Sequence, residues 1–183
     1  MPGIDDWTDT LDAGKRRIAA LQRLRQQMFV SCWHMSEHES DGMWKAYCGS
    51  GDGVCVQTTY NKLQASVGFL PLGLVEYRNF QTYKGQYNPW LGAWLKRDVF
   101  SSENEVRVLS FQQWLGPRGT TPPGQKTISL PIAWDPEQVV GGIHVHPKSD
   151  HSYIEVVNDI VDRFAPALSG KVWYSSMGAS PPY

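Results

Sequence analysis

A chain of 183 residues with 41% hydrophobic residues and eight tryptophans can bury a core, which excludes a disordered chain. Seventeen basic residues against eighteen acidic ones disfavour sequence-independent binding to a phosphate backbone, so nucleic acid is not a favoured partner. No run approaches the roughly 18 apolar residues that span a bilayer, the N-terminus is acidic where a secretory signal is basic, and three cysteines make no disulfide framework; the expectation is a cytoplasmic protein with no membrane partner.

In chain order, residues 5–28 predict a helix, with Ile18, Leu21, Leu24 and Met28 at helical spacing. Asp5, Asp6, Asp9 and Asp12 lie early and Lys15, Arg16, Arg17, Arg23 and Arg25 late, the order that complements the helix dipole. Residues 29–34 and 53–59 read as strands, the second introduced by a Gly-Asp-Gly turn. Between them, residues 41–47 suit two helical turns, with Met43 and Tyr47 on one side. A short helix over 62–67 and a strand over 72–79 follow. Residues 81–90, with their tyrosines, Gly85 and Asn88-Pro89, predict an ordered irregular loop and a candidate lid.

Residues 105–114 and 127–134 are strand-like, joined through Gly116-Pro117-Arg118-Gly119 and Pro122-Pro123-Gly124 as a long hairpin loop. Residues 139–146 predict a strand ending at Pro147. Ser152 then reads as a helix cap with Glu155 three residues on, and Tyr153, Val156, Val157, Ile160, Val161 and Phe164 as the apolar face; Pro166 closes the helix. Residues 171–176 read as a last strand and 180–183 as an extended tail. The expected class is α+β, one domain with a central mixed β-sheet flanked by helices: residues 1–28 a helical segment, 29–183 the domain proper.

A strand from Glu105 has a period of two, which puts Glu105, Arg107, Leu109 and Phe111 on one face; Glu103 joins them if the pleat begins early. Two close carboxyls push each other's pKa apart, so one can hold a proton near neutrality while the arginine keeps the other ionised. Such a group can polarise a hydroxyl, steady a developing cation or hold a sugar. An ion pair at a strand end accounts for the same residues, and both readings stay open. Lys96 and Arg97 pair with these acids or hold a phosphate.

Cys32, His34, His38, Cys48 and Cys55 are zinc-type ligands without a Cys-x-x-Cys pair, and His144 and His146 form a lone His-x-His; no metal is expected. No Gly-x-Ser-x-Gly elbow occurs, and Gly49-Ser50-Gly51-Asp52-Gly53 lacks a P-loop lysine and precedes a strand, so it reads as a turn. Trp33, Trp44, Trp114, Trp134 and Trp173 fall in predicted elements as core, while Trp90 and Trp94 flank the tyrosine loop and can stack on a ring.

Three runs, Val30-Ser31-Cys32-Trp33-His34, Glu39-Ser40 with Met43-Trp44-Lys45-Ala46-Tyr47, and Gly53-Val54-Cys55-Val56-Gln57-Thr58-Thr59, resemble the bacterial domain of unknown function DUF2971. So do Lys96-Arg97, Glu103-Asn104-Glu105-Val106-Arg107, and His144-Val145-His146-Pro147 followed by a helix and Ser175-Ser176; the likeness covers residues 29–183. The family in turn resembles ADP-ribosyltransferases at the level of fold, which implies a nucleotide-handling enzyme with NAD as cofactor. By that likeness Glu105 steadies an oxocarbenium-like ribose with Glu103 and Arg107 beside it, and Trp44, Gln57, Thr58, Thr59, Lys96 and Arg97 lie near the cofactor. No residue before Phe29 is an obvious counterpart of the arginine or histidine with which that pattern grips NAD. The alternative is a non-catalytic binding or regulatory module of a defence or toxin system, recognising a small nucleotide or a protein.

Overall fold

The computed structural model describes residues 4–49, 51–85, 88–111 and 131–178. In chain order these form α1 (Ile4–Arg25), β1 (Met28–His34), α2 (Asp41–Cys48), β2 (Val54–Gln57), α3 (Tyr60–Val67), β3 (Leu72–Leu74), β4 (Glu76–Arg78), α4 (Pro89–Gly92) and β5 (Leu95–Arg97). After a 3-10 turn at Asp98–Glu103 come β6 (Glu105–Phe111), α5 (Pro136–Val139), β7 (Gly142–Val145), α6 (His151–Phe164) and β8 (Val172–Tyr174). Among the described residues no helix is long and apolar enough to cross a membrane.

The class is α+β, as expected, with the strands paired in three small sheets where one central sheet was anticipated. The chain divides into two compact units, Met1–His34 with Leu70–Pro131, and Met35–Phe69 with Ile132–Tyr183. In the first, β6 lies between β1 and β3, antiparallel to both, and β4 pairs with β5 in parallel. Strand β6 is buried on both faces through Val106, Val108, Leu109 and Phe111. Each such side chain contributes about 1.5–3 kcal/mol over its exposed state.

In the second unit β7 lies between antiparallel β2 and parallel β8. A parallel pair needs a crossover, and α6 supplies it. One stripe of α6, Val157 and Val161, packs with Val140, Ile143, Val145, Ala165 and Leu168 into this unit's core.

Several boundaries move for physical reasons. The expected strand over 72–79 breaks at Val75, whose N–H donates to the Glu105 carbonyl (2.9 Å); Glu76 N–H then donates to the Trp94 carbonyl (2.7 Å), so the segment changes sheets. Strand β2 stops at Gln57 because Thr59 caps α3, its side chain accepting from Lys62 N–H at 3.3 Å. The cap of α6 is Asp150, which accepts from Tyr153 N–H (3.0 Å), while Ser152 donates its hydroxyl to the same carboxylate (2.6 Å). The strand expected from residue 139 starts only at Gly142, because residues 136–139 form a turn of helix under the Asp135 cap with Pro136 in its first turn. The end of the 105–114 strand, the hairpin loop, most of the 127–134 strand and the tail lie outside the described residues; 131–135 carry no strand.

Candidate functional site

The acidic cluster is built where β6 begins. Asn104 precedes it with φ 39, a left-handed backbone that asparagine tolerates better than most residues. Glu103 therefore belongs to the 3-10 turn and not to the pleat, correcting the expectation that it extends the strand face. Glu105 and Arg107 share a face, as their spacing predicts. Arg107 donates Nε to Glu105 Oε1 (2.5 Å) and Nη2 to Oε2 (3.1 Å), a two-pronged fork, and Nη1 to the Ala93 carbonyl.

Lys96 on β5 reaches both acids, with Nζ at 2.5 Å from Glu103 Oε2 and 3.1 Å from Glu105 Oε2. Arg97 stays out of the cluster: its guanidinium lies over the Phe100 ring, 5.1 Å from the centroid. Across the β1–β6 pair, Cys32 lies opposite Arg107 and His34 opposite Glu105. His34 Nδ1 donates to the Glu103 carbonyl (2.6 Å), which ties the turn to β1.

Glu105 is 3% exposed. Burial pushes its carboxyl up, but hydrogen bonds from Arg107, Cys32 and Lys96 outweigh burial and hold it at about 2. For Lys96 burial lowers and the bonds to Glu103 and Glu105 raise, with a net upward shift; Arg107 is likewise raised, Glu105 overcoming burial. The Cys32 thiol is pushed up to about 11, by desolvation first and then by the Glu105 carboxylate. Glu105 is thus permanently ionised near neutral pH, so it is not the carboxyl that keeps a proton. It can hold positive charge in place; it cannot act there as a general acid.

A hollow of about 460 Å³ opens beside this cluster in the same unit, lined by Tyr77, Arg78, Asn79, Thr82, Tyr83, Lys84, Gly85 and Asp98. It is shallow and open to solvent, every lining residue except Tyr77 being exposed. Glu103, Glu105 and Arg107 do not line it. The link is Tyr77, whose hydroxyl accepts the Glu105 N–H at 2.9 Å and whose strand pairs it with Lys96. The loop read as a candidate lid supplies a wall: Asn79 accepts from Gln81 N–H through its side chain (2.9 Å) and from Tyr83 N–H through its carbonyl (2.9 Å), folding Tyr83 and Lys84 back. Arg78 ion-pairs with Glu76. Arg78, Lys84 and Asp98 escaped the sequence reading, although Tyr77-Arg78 and Tyr83-Lys84 repeat an aromatic-cation pair within eight residues.

Trp44, Gln57, Thr58 and Thr59 belong to the second unit, the acidic cluster to the first. Trp44 is core: it is 6% exposed, packs edge-on to His146 (5.3 Å) and donates its indole N–H to Glu39 (3.1 Å). Thr58 donates to the Val139 carbonyl (2.7 Å), and Thr59 is the α3 cap. Gln57 Oε1 lies 3.3 Å from His144 Nε2. Glu39 is the acid that sequence reasoning missed: Ser176 gives it both N–H (2.8 Å) and hydroxyl (2.9 Å). Burial raises its carboxyl, and bonds from Ser175, Ser176 and Trp44 bring it below the usual range. These partners make Glu39 a clamp on the chain end of the unit. Among the described residues no three His, Cys, Asp or Glu side chains converge as metal ligands.

No family model matches the chain, and no curated protein or solved structure matches it.

Proposed function

We propose that this chain is a DUF2971-like binding module that takes a small nucleotide in the hollow of its first unit, with Glu105 holding the wall together and not turning the ligand over. The observation that carries this reading is the full engagement of Glu105 by Arg107 and Lys96 on both oxygens, behind a hollow that Glu105 does not line. Tyr77 and Tyr83 offer ring faces for a base, Arg78 and Lys84 offer charge for phosphate, and Asp98 offers an acceptor for ribose hydroxyls. Three free thiols, Cys32, Cys48 and Cys55, suit a reducing cytosol.

The test uses labelled NAD and ADP-ribose with the wild type, Lys84→Ala and Glu105→Gln. The reading expects saturable binding without nicotinamide release, weakened about tenfold by Lys84→Ala. Absence of binding to either probe defeats it. A second reading, an NAD-cleaving transferase, is favoured by the lasting negative charge on Glu105, the state a ribosyl cation needs. Nicotinamide release that Glu105→Gln abolishes would select it.

A further inference from the structure

Among the described residues, helix α6 carries more apolar surface than its own unit covers. Val157 and Val161 are buried in the core, but Val156, Ile160 and Phe164, four residues apart on the neighbouring stripe, are 52%, 53% and 72% exposed. The sheet that α6 covers has exposed apolar residues of its own. Val54 and Val56 lie opposite Val145 and Ile143, two residues of the α6 core, and therefore share their face, yet they stay 43% and 37% exposed on edge strand β2. Single exposed apolar residues are ordinary; a three-turn stripe continuous with a core marks a contact surface.

We propose that this stripe is the contact of a two-fold dimer in which α6 packs antiparallel against α6 of a second copy. The stripe is self-complementary, which fits a second copy of the chain. With the axis at Ile160, Val156 of one copy meets Phe164 of the other, and Ile160 meets Ile160, as an isologous contact requires. The rim is complementary in the same sense. Glu155 and Asp159 flank the first half of the stripe and Arg163 the second, so the antiparallel arrangement sets each Arg163 beside the acids of the other copy. In the single chain Arg163 lies over its own Phe164 ring (5.3 Å) and has no ion-pair partner among the described residues. Glu155 has only an exposed pair with His151 (3.2 Å).

The experiment is sedimentation velocity and light scattering on the full chain over a wide concentration range. Wild type should sediment as a concentration-dependent dimer. Ile160→Asp should weaken it at least about tenfold with an unchanged far-ultraviolet circular dichroism spectrum, since Ile160 supports no core contact. Arg163→Glu alone should weaken the dimer, and adding Glu155→Lys and Asp159→Lys should restore it. A wild type that is monomeric up to its solubility limit overturns the proposal, as does a dimer indifferent to Ile160→Asp. A dimer that Ile160→Asp breaks but the triple charge exchange fails to restore overturns the antiparallel register.

Discussion

Arg107 clasps Glu105 from two positions further along one strand, meeting both carboxylate oxygens at 2.5 and 3.1 Å, while Lys96 approaches from a different sheet. A charge as buried as Glu105 is tolerable only because it is paired and hydrogen-bonded, and the pairing joins β6 to β5 without a backbone ladder between them.

Removing Arg107 leaves Glu105 desolvated with Lys96 as its remaining cation. Arg107→Ala should therefore cost about 3 kcal/mol, and the Glu105→Leu, Arg107→Leu double variant markedly less. Lys96→Ala should cost about 1 kcal/mol, because Lys96 and Glu103 remain partly in water. Urea midpoints of the four proteins check the order, and a double variant worse than Arg107→Ala refutes it.

The Glu105 carboxyl lies at about 2 against an ordinary 4.5. A depressed carboxyl contributes stability that is complete above its unfolded value and is lost as pH falls through its folded one. The melting temperature should accordingly drop between pH 4.5 and about 2, and Glu105→Gln should remove part of that slope while lowering stability at pH 7. Parallel pH profiles for the two proteins would contradict this.

Cys32 should alkylate slowly near neutral pH, since only the thiolate attacks and the thiol is held up at about 11. Glu105→Gln removes a negative neighbour and leaves Arg107 beside the sulfur, so the Cys32 peptide should react faster with iodoacetamide in that variant. Peptide mass spectrometry reads the rate. A rate unchanged or slower in Glu105→Gln would show that the carboxylate does not govern the thiol.

Gly142 lies where a Cβ would come within 2.6 Å of the Trp173 ring and 3.3 Å of Gln57 Oε1. Gly142→Ala should displace the indole, costing about 1–3 kcal/mol and shifting tryptophan emission. Adding Trp173→Leu should recover most of the loss. Thermal melts that give the single and double variants equal stability would place the strain elsewhere.

The shared face of Glu105 and Arg107 was legible because a strand has a period of two whatever surrounds it. The helix over 41–47 was legible because Met43 and Tyr47 recur four residues apart, whereas the caps Ser40 and Thr59, which start α2 and α3 with their own side chains, went unread and Thr59 was assigned to a strand. The position of Glu103 was not, because one left-handed residue, Asn104, rotates it out of the pleat. Trp44 read as core from its place in a helix, although the family likeness set it near the cofactor; the partners that bury it, Glu39 and His146, include one a hundred residues away.

By itself the sequence determined the kinds of element, their approximate bounds, the α+β class and the wide apolar face of α6, all of which follow from interactions within a few residues. Tertiary structure alone decided that the strands form three sheets, that Glu105 keeps its charge, that a hollow adjoins it through Tyr77, and that half of the α6 face stays uncovered. Those properties are sums over neighbours brought together through space, and a protonation state or a buried area has no value until Lys96 meets Glu105 and β7 meets α6.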